Sequence, residues 1–225
     1  MKNKMFQTLS VLITLLVPIA LIGLGLRLLL TTTFLHIEYN MPRFPQDEYG
    51  FTKEDRLKWA PYAVKYLAND ADISYLGGLK FDDGTPLYNE RELSHMEDVK
   101  RVTRGALNVW YATLAILLAL GSWSKAAHWE QAYRQGFRRG GWLMVRLAVA
   151  IGLIVIVGIV VNPNVFWGFF TAFHKLFFEG DSWLFLYSDT LIRLFPIRFW
   201  QDTFLFAAVI ALGGGLTLGT GLEKE

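Results

Sequence analysis

Four long apolar stretches, separated by polar segments of very unequal length, dominate the hydrophobic pattern of this chain. An apolar helix needs about 20 residues to cross the hydrocarbon core of a bilayer. Residues 8–30, 105–123, 142–161 and 201–220 each meet that length, which predicts four transmembrane helices. The first is interrupted only by Pro18 and by Arg27 near its end, and the fourth is softened by Gly213, Gly214 and Gly215. Trp110, Trp123, Trp142 and Trp200 stand at or near span ends, where amphipathic rings settle among headgroups. The first stretch is longer than a signal-peptide core and lacks a small-x-small cleavage site. Arg27 and Thr31-Thr32-Thr33 follow it, so it reads as an uncleaved anchor. The expected fold class is an all-α membrane protein.

Charges in the short loops set the expected orientation. Lys2 and Lys4 precede the first span; Lys125, Arg134, Arg138 and Arg139 lie between the second and third against Glu130 alone. Basic excess marks the cytoplasmic side. Residues 1–7, 124–141 and 221–225 are therefore expected inside, with both termini cytoplasmic, and residues 31–104 and 162–200 outside. Arg27 and Arg146 lie close enough to span ends to reach the interface by snorkelling. A charge facing a polar cavity is the lesser alternative for both.

The first external segment has the marks of a folded unit. Thr52 followed by Asp55 opens a helix carrying Leu57, Trp59, Val64 and Leu67, which Pro61 is expected to kink or divide. Gly77-Gly78 and Asp83-Gly84, with Phe81 and Leu87 around the second pair, allow a short hairpin between Ile73 and Tyr88. Asn89 with Glu92 three positions on forms a capping-box pattern. The helix it opens meets only Gly105 before Trp123, and it is expected to run unbroken into the second span. That puts His95 on a rigid element, with Arg91 at i−4 and Asp98 at i+3 on its face. An acid accepting one ring N–H would fix the tautomer and free the other nitrogen as a base. A lone histidine on a charged helix is, however, more often a solvated surface group.

The second external segment is aromatic to an unusual degree, with Phe166, Trp167, Phe169, Phe170, Phe173, Phe177 and Phe178 in its first part. Residues 164–178 have helix length, are too short to span, and are apolar on nearly every side. That suits a re-entrant or interfacial helix. His174 is its conspicuous polar group, accompanied by Thr171 and Lys175. Burying an imidazole is costly unless it is paired, so His174 is either a functional group or a headgroup-boundary marker. Asp189 and Arg193, at i and i+4, read as a structural helix pair. His36, in a linker, and His128, beside Trp129, carry no functional weight.

Composition narrows the chemistry further. A net charge of +2, with basic residues expected to cluster in loops rather than along one helical face, argues against a nucleic-acid partner. With no cysteine, thiolate catalysis and thiolate metal sites are excluded. No G-x-S-x-G elbow is present, and Ser94 and His95 are helix neighbours that point apart.

Two groups of residues resemble signatures of the bacterial lipoprotein intramolecular transacylase (Lit) family. One is Tyr88-Asn89, Glu92, His95-Met96 and Asp98-Val99; the other is Phe173-His174, Phe177-Phe178, Trp183 and the run from Asp189 to Pro196. The resemblance covers essentially the whole chain. It implies an enzyme that transfers the sn-2 acyl chain of a diacylglyceryl-modified lipoprotein cysteine to that cysteine's own α-amine, giving a lyso-form lipoprotein. It places His95 and His174 on the family's catalytic histidines and makes Asp98, Asn89 and Trp183 supporting residues. It also implies no cofactor and no metal, a diacylated lipoprotein and membrane lipid as partners, and an extracytoplasmic site in a bacterial cell membrane.

The residues themselves fit such chemistry. Aminolysis of an ester needs a base for the amine proton, a donor for the oxyanion and a proton for the leaving alkoxide. A tethered amine arrives at high effective concentration, so no acyl-enzyme nucleophile is required. The initial assignment makes His95, oriented by Asp98, the base and His174 the oxyanion donor or acid, with reversal left open. A non-catalytic lipid- or peptide-binding membrane protein ranks second. Third is a metal-dependent hydrolase using both histidines with Asp98 or Glu92, a ligand set that suits zinc but lacks a compact motif.

Overall fold

The structure is a computed structural model that describes residues 2–162 and 164–221. Its helices, in chain order, are α1 (Lys2–Leu29), α2 (Thr32–Tyr39), α3 (Lys53–Ala68), α4 (Ser74–Gly77), α5 (Glu90–Ala126), α6 (Glu130–Val161), α7 (Val165–Phe177), α8 (Thr190–Leu194) and α9 (Ile197–Gly221). Among the described residues the one β feature is an isolated bridge between Lys80 and Pro86. The allowed hairpin from Ile73 to Tyr88 thus shrinks to that bridge. Residues 74–77 go into α4 instead, with Gly77 N–H donating to Ile73 and Gly78 N–H to Ser74.

Four helices are long and apolar enough to cross a membrane: Lys4–Leu29, Glu90–Ala126, Glu130–Gly158 and Ile197–Gly221. The chain is an all-α membrane protein. The exposed side chains of α6, among them Ile151, Ile154, Ile156, Val157 and Val160, form a surface that only a lipid solvent accommodates.

The chain forms two compact units, one of Met1–Arg27, Ala106–Pro163 and Leu205–Glu225, the other of Leu28–Gly105 and Asn164–Phe204. In the first unit, Ile13, Val17, Leu21, Leu117, Trp129, Met144 and Ala211 make the buried core. Without a hydrophobic force between helices in lipid, close backbone approach has to supply the packing. Gly136 and Gly140 meet Ser10, Ile13, Thr14 and Val17 of α1, while Gly141 meets Gly215 and Gly219 of α9. Residues 124–141, expected as a loop, are therefore mostly helix. The turn between α5 and α6 is three residues long, with His128 in the left-handed region (φ 56°) and Trp129 stacked on Phe6 at 5.4 Å.

In the second unit, Thr52 and Asp55 form the capping box of α3, as expected. Pro61 does not divide that helix. The buried face of Trp59, Ala60, Ala63 and Val64 holds it together, offsetting the lost N–H of Pro61.

The central connection of this unit is made by Glu92. The residue is 1% exposed. Oε2 accepts the Asn89 N–H at 2.9 Å, completing the cap of α5, and Oε1 accepts the Leu191 N–H of α8 at 2.7 Å. Around it, Asn89 Oδ1 accepts from Glu92 N, Asn89 Nδ2 donates to Asp189 Oδ1 at 3.2 Å, and the Thr190 hydroxyl donates to Leu87 O at 2.6 Å. Arg193 is not paired with Asp189. It reaches Asp47 at 3.0 Å and lies over the Phe51 ring at 3.6 Å, because the carboxylate of Asp189 faces back to Leu186 N–H and Asn89.

Two pairs of substitutions test this packing. Glu92→Gln replaces one acceptor by a donor facing a backbone N–H and should cost about 1–3 kcal/mol of stability, read as a lowered thermal midpoint in detergent. Glu90→Gln, at an exposed position of the same turn, should stay within about 0.5 kcal/mol of wild type; equal midpoints for the two would contradict the clamp. A Cβ on Gly141 would sit 2.6 Å from the Gly215 carbonyl oxygen, whereas one on Gly152 meets nothing within 4 Å. Gly141→Val should accordingly destabilise by about 1–3 kcal/mol and Gly152→Val should not.

Candidate active site

The second unit brings the two candidate histidines together. His95 sits on the second turn of α5, and His174 on the last turn of α7. Their ring centroids lie 6.1 Å apart with the planes within 22°. Both are buried, at 7% and 9% exposure.

Aromatic side chains wall the pair on several sides. Phe178 and Phe185 meet the His95 ring edge-on at 4.9 and 5.3 Å. Phe170 and Trp183 cover His174 at 4.1 and 4.9 Å. The Trp183 indole N–H donates to Gly180 O at 3.1 Å, which holds that ring in place. Such walls exclude water and lower the local dielectric, so a hydrogen bond made inside them is strengthened.

The two imidazoles differ in their partners. His174 Nδ1 lies 2.8 Å from the Phe170 carbonyl oxygen one turn back. A carbonyl can only accept, so Nδ1 carries the proton and Nε2 presents its lone pair. Burial pushes the His174 imidazole below its ordinary pKa of 6.5, and the Phe170 carbonyl opposes that push. Neutral His174 is therefore the resting form at neutral pH. His95 Nδ1 is buried and has no hydrogen-bond partner.

Asp98 does not orient His95 through a hydrogen bond, contrary to the expectation from its i+3 spacing. Its carboxylate is held by Arg101 at 3.0 Å, one turn further along and in a more exposed position, where the charged pair stays hydrated. Asn89 touches neither histidine; it caps α5 and ties it to Asp189. Trp183 does touch the site. The sequence pattern gave no reason to single out the Phe170 carbonyl, since every helical residue offers one at i−4, or the second oxygen of Glu92, whose partner is 99 residues away. Among the described residues, no group of three or more His, Asp or Glu side chains is arranged to hold a metal ion.

Next to the histidines, α7 and the segment after it expose an apolar surface: Phe173, Leu176, Phe177, Leu184, Leu186 and Tyr187. The helix itself is 13 residues long, about 20 Å, too short to cross a bilayer.

The chain is similar to several known proteins. A protein of Aquifex aeolicus (strain VF5), described only as uncharacterized, is 30% identical over 219 residues, covering 97% of this chain and 95% of its own. The solved structure of the membrane integral lipoprotein intramolecular transacylase Lit from Bacillus cereus has the same fold, with a TM-score of 0.70 at 19% identity over 96% of this chain and 93% of that one. The same Bacillus cereus protein carrying a single histidine-to-arginine mutation superposes with a TM-score of 0.71 at 18% identity, over 98% of this chain and 92% of that one. The family model for lipoprotein intramolecular transacylase Lit matches residues 11–200, and the chain belongs to that family.

Proposed function

We propose that this protein transfers the sn-2 acyl chain of a diacylglyceryl-modified lipoprotein cysteine to the α-amine of the same cysteine, with His174 and His95 as the catalytic residues. The observation that carries this reading is the buried pair of imidazoles 6.1 Å apart, one of them with its tautomer fixed. Rings that close can both engage one small ester, each at a hydrogen-bond distance of about 3 Å.

His174 is the better base, which reverses the initial assignment. With Nδ1–H held by Phe170 O, Nε2 accepts the proton of the attacking amine. The amine nitrogen bonds to the ester carbonyl carbon, and the carbonyl oxygen becomes an oxyanion. His95, in a tautomer with its N–H directed at that oxygen, stabilises the charge in a site shielded from water. The bond to the glyceryl oxygen then breaks, and the proton held on His174 moves to the departing alkoxide. Atoms balance: an amide forms, the sn-2 hydroxyl is freed, and the enzyme regains its starting protonation. No covalent enzyme intermediate is needed, in keeping with a chain without cysteine.

Trp183 acts as a positioning residue through its contact with His174. Asn89 acts at a further remove, by fixing the start of the helix that carries His95. The exposed apolar surface of α7 offers the acyl chains a bed, which supports the reading of this helix as interfacial. The loop charges support an extracytoplasmic site in a bacterial cell membrane, with both termini inside.

Expression in a host whose lipoproteins are diacylated tests the proposal. Mass spectrometry of lipoprotein N-termini should show the lyso form with wild type. His174→Ala and His95→Ala should each lower it by a factor of about 100 or more, at unchanged membrane levels of the protein. Lyso form at wild-type level from either variant would overturn the assignment.

A further inference from the structure

One face of α6 carries a cationic cleft remote in sequence from both histidine motifs. Gln135, Arg138, Arg139, Trp142 and Arg146 line a cavity of about 290 Å³. Successive residues of an α-helix turn by 100°, so these positions share one stripe. Gly136, Gly140 and Gly141 point the other way, into α1 and α9. Those contacts involve Ser10 to Val17 and Gly215 to Gly219, which belong to membrane-crossing helices. The arginines are therefore placed along the side of a packed apolar bundle. Arg146 is the sole charge between Trp142 and Val161, and it is exposed. Neither Arg139 nor Arg146 has an acidic partner among the described residues.

We propose that this cleft binds the phosphodiester headgroup of an anionic phospholipid. An exposed guanidinium beside hydrocarbon is costly until an anion neutralises it. A guanidinium matches phosphate oxygens bidentately, and two of them separated by two helical turns bracket one headgroup. Trp142, seated against Gly219 of α9, supplies a flat apolar wall between them for the glycerol backbone. The ligand is a lipid rather than free phosphate because the same stripe continues past Arg146 as Val149, Leu153, Val157 and Val160, all exposed. From Arg146 to Val160 the helix rises about 21 Å, enough to carry one acyl chain along its length.

The test uses the purified full chain in a neutral detergent, with binding read by native mass spectrometry. Phosphatidylglycerol, phosphatidylcholine with the same chains, and inorganic phosphate are titrated separately. Phosphatidylglycerol should bind in preference to both. Arg146→Gln should weaken it about fivefold and the double variant R139Q/R146Q about 25-fold, at about 1 kcal/mol for each arginine, whereas R139K/R146K, which keeps both charges but loses the bidentate fork, should fall between wild type and R139Q/R146Q. The lysine variant serves as the check should the glutamine variant fail to fold, since it then has to retain the preference for phosphatidylglycerol over phosphatidylcholine. Equal binding of phosphatidylcholine, equal binding of inorganic phosphate, or wild-type affinity in R139Q/R146Q would overturn the proposal.

Discussion

Much of this protein's second unit depends on one buried carboxylate. Glu92 has almost no contact with solvent, and a carboxylate so placed is tolerable only if its oxygens are satisfied. Each of its two oxygens accepts a backbone N–H, from the first turn of α5 and from α8. The carboxylate thereby joins two chain segments whose own sequences would let them part. His95 lies one turn beyond that clamp, so the orientation of its ring is inherited from the start of α5. Arg193 performs a similar service on the other side of α8, reaching Asp47 and the Tyr49 carbonyl in the loop that precedes α3. A short five-residue helix is thus pinned at both ends, by the Glu92 side chain near its start and by its own Arg193 near its end.

The histidine pair shows how such a frame becomes chemistry. Two neutral imidazoles in an aromatic enclosure are a poor stabilising device, because each has polar atoms that water would have solvated. The unpartnered Nδ1 of His95 makes that cost visible. Groups kept at such a cost are characteristic of functional sites. The arrangement divides labour without a third polar side chain: a main-chain carbonyl sets one tautomer, and the second ring remains uncommitted until a substrate arrives.

Much of this was legible in the residues alone. Span length and apolarity identified the four membrane helices, and Asn89 with Glu92 marked the start of the second, since both signals are local. The rest was not legible because spacing permits a contact without selecting it. The i+3 spacing allows Asp98 to orient His95, yet Arg101 offers a stronger, hydrated partner at the same spacing. Asp189 and Arg193 looked like a pair for the same reason, and both found long-range partners. The stretch 124–141 looked like a loop because its charges are conspicuous. Its glycines, Gly136 and Gly140 at i and i+4, already signalled a packed helix, and Gly215 with Gly219 repeats the pattern.

In the proposed reaction amine and ester combine within one molecule, between two histidines and without an acyl-enzyme. A crossover experiment addresses it directly. Purified protein receives two synthetic diacylglyceryl-cysteinyl peptides of different peptide mass, one carrying an isotopically labelled sn-2 chain, and the products are resolved by mass spectrometry. By that mechanism the label appears on the α-amine of its original peptide alone. Labelled acyl chain on the other peptide's amine, or bound to the protein, would contradict it.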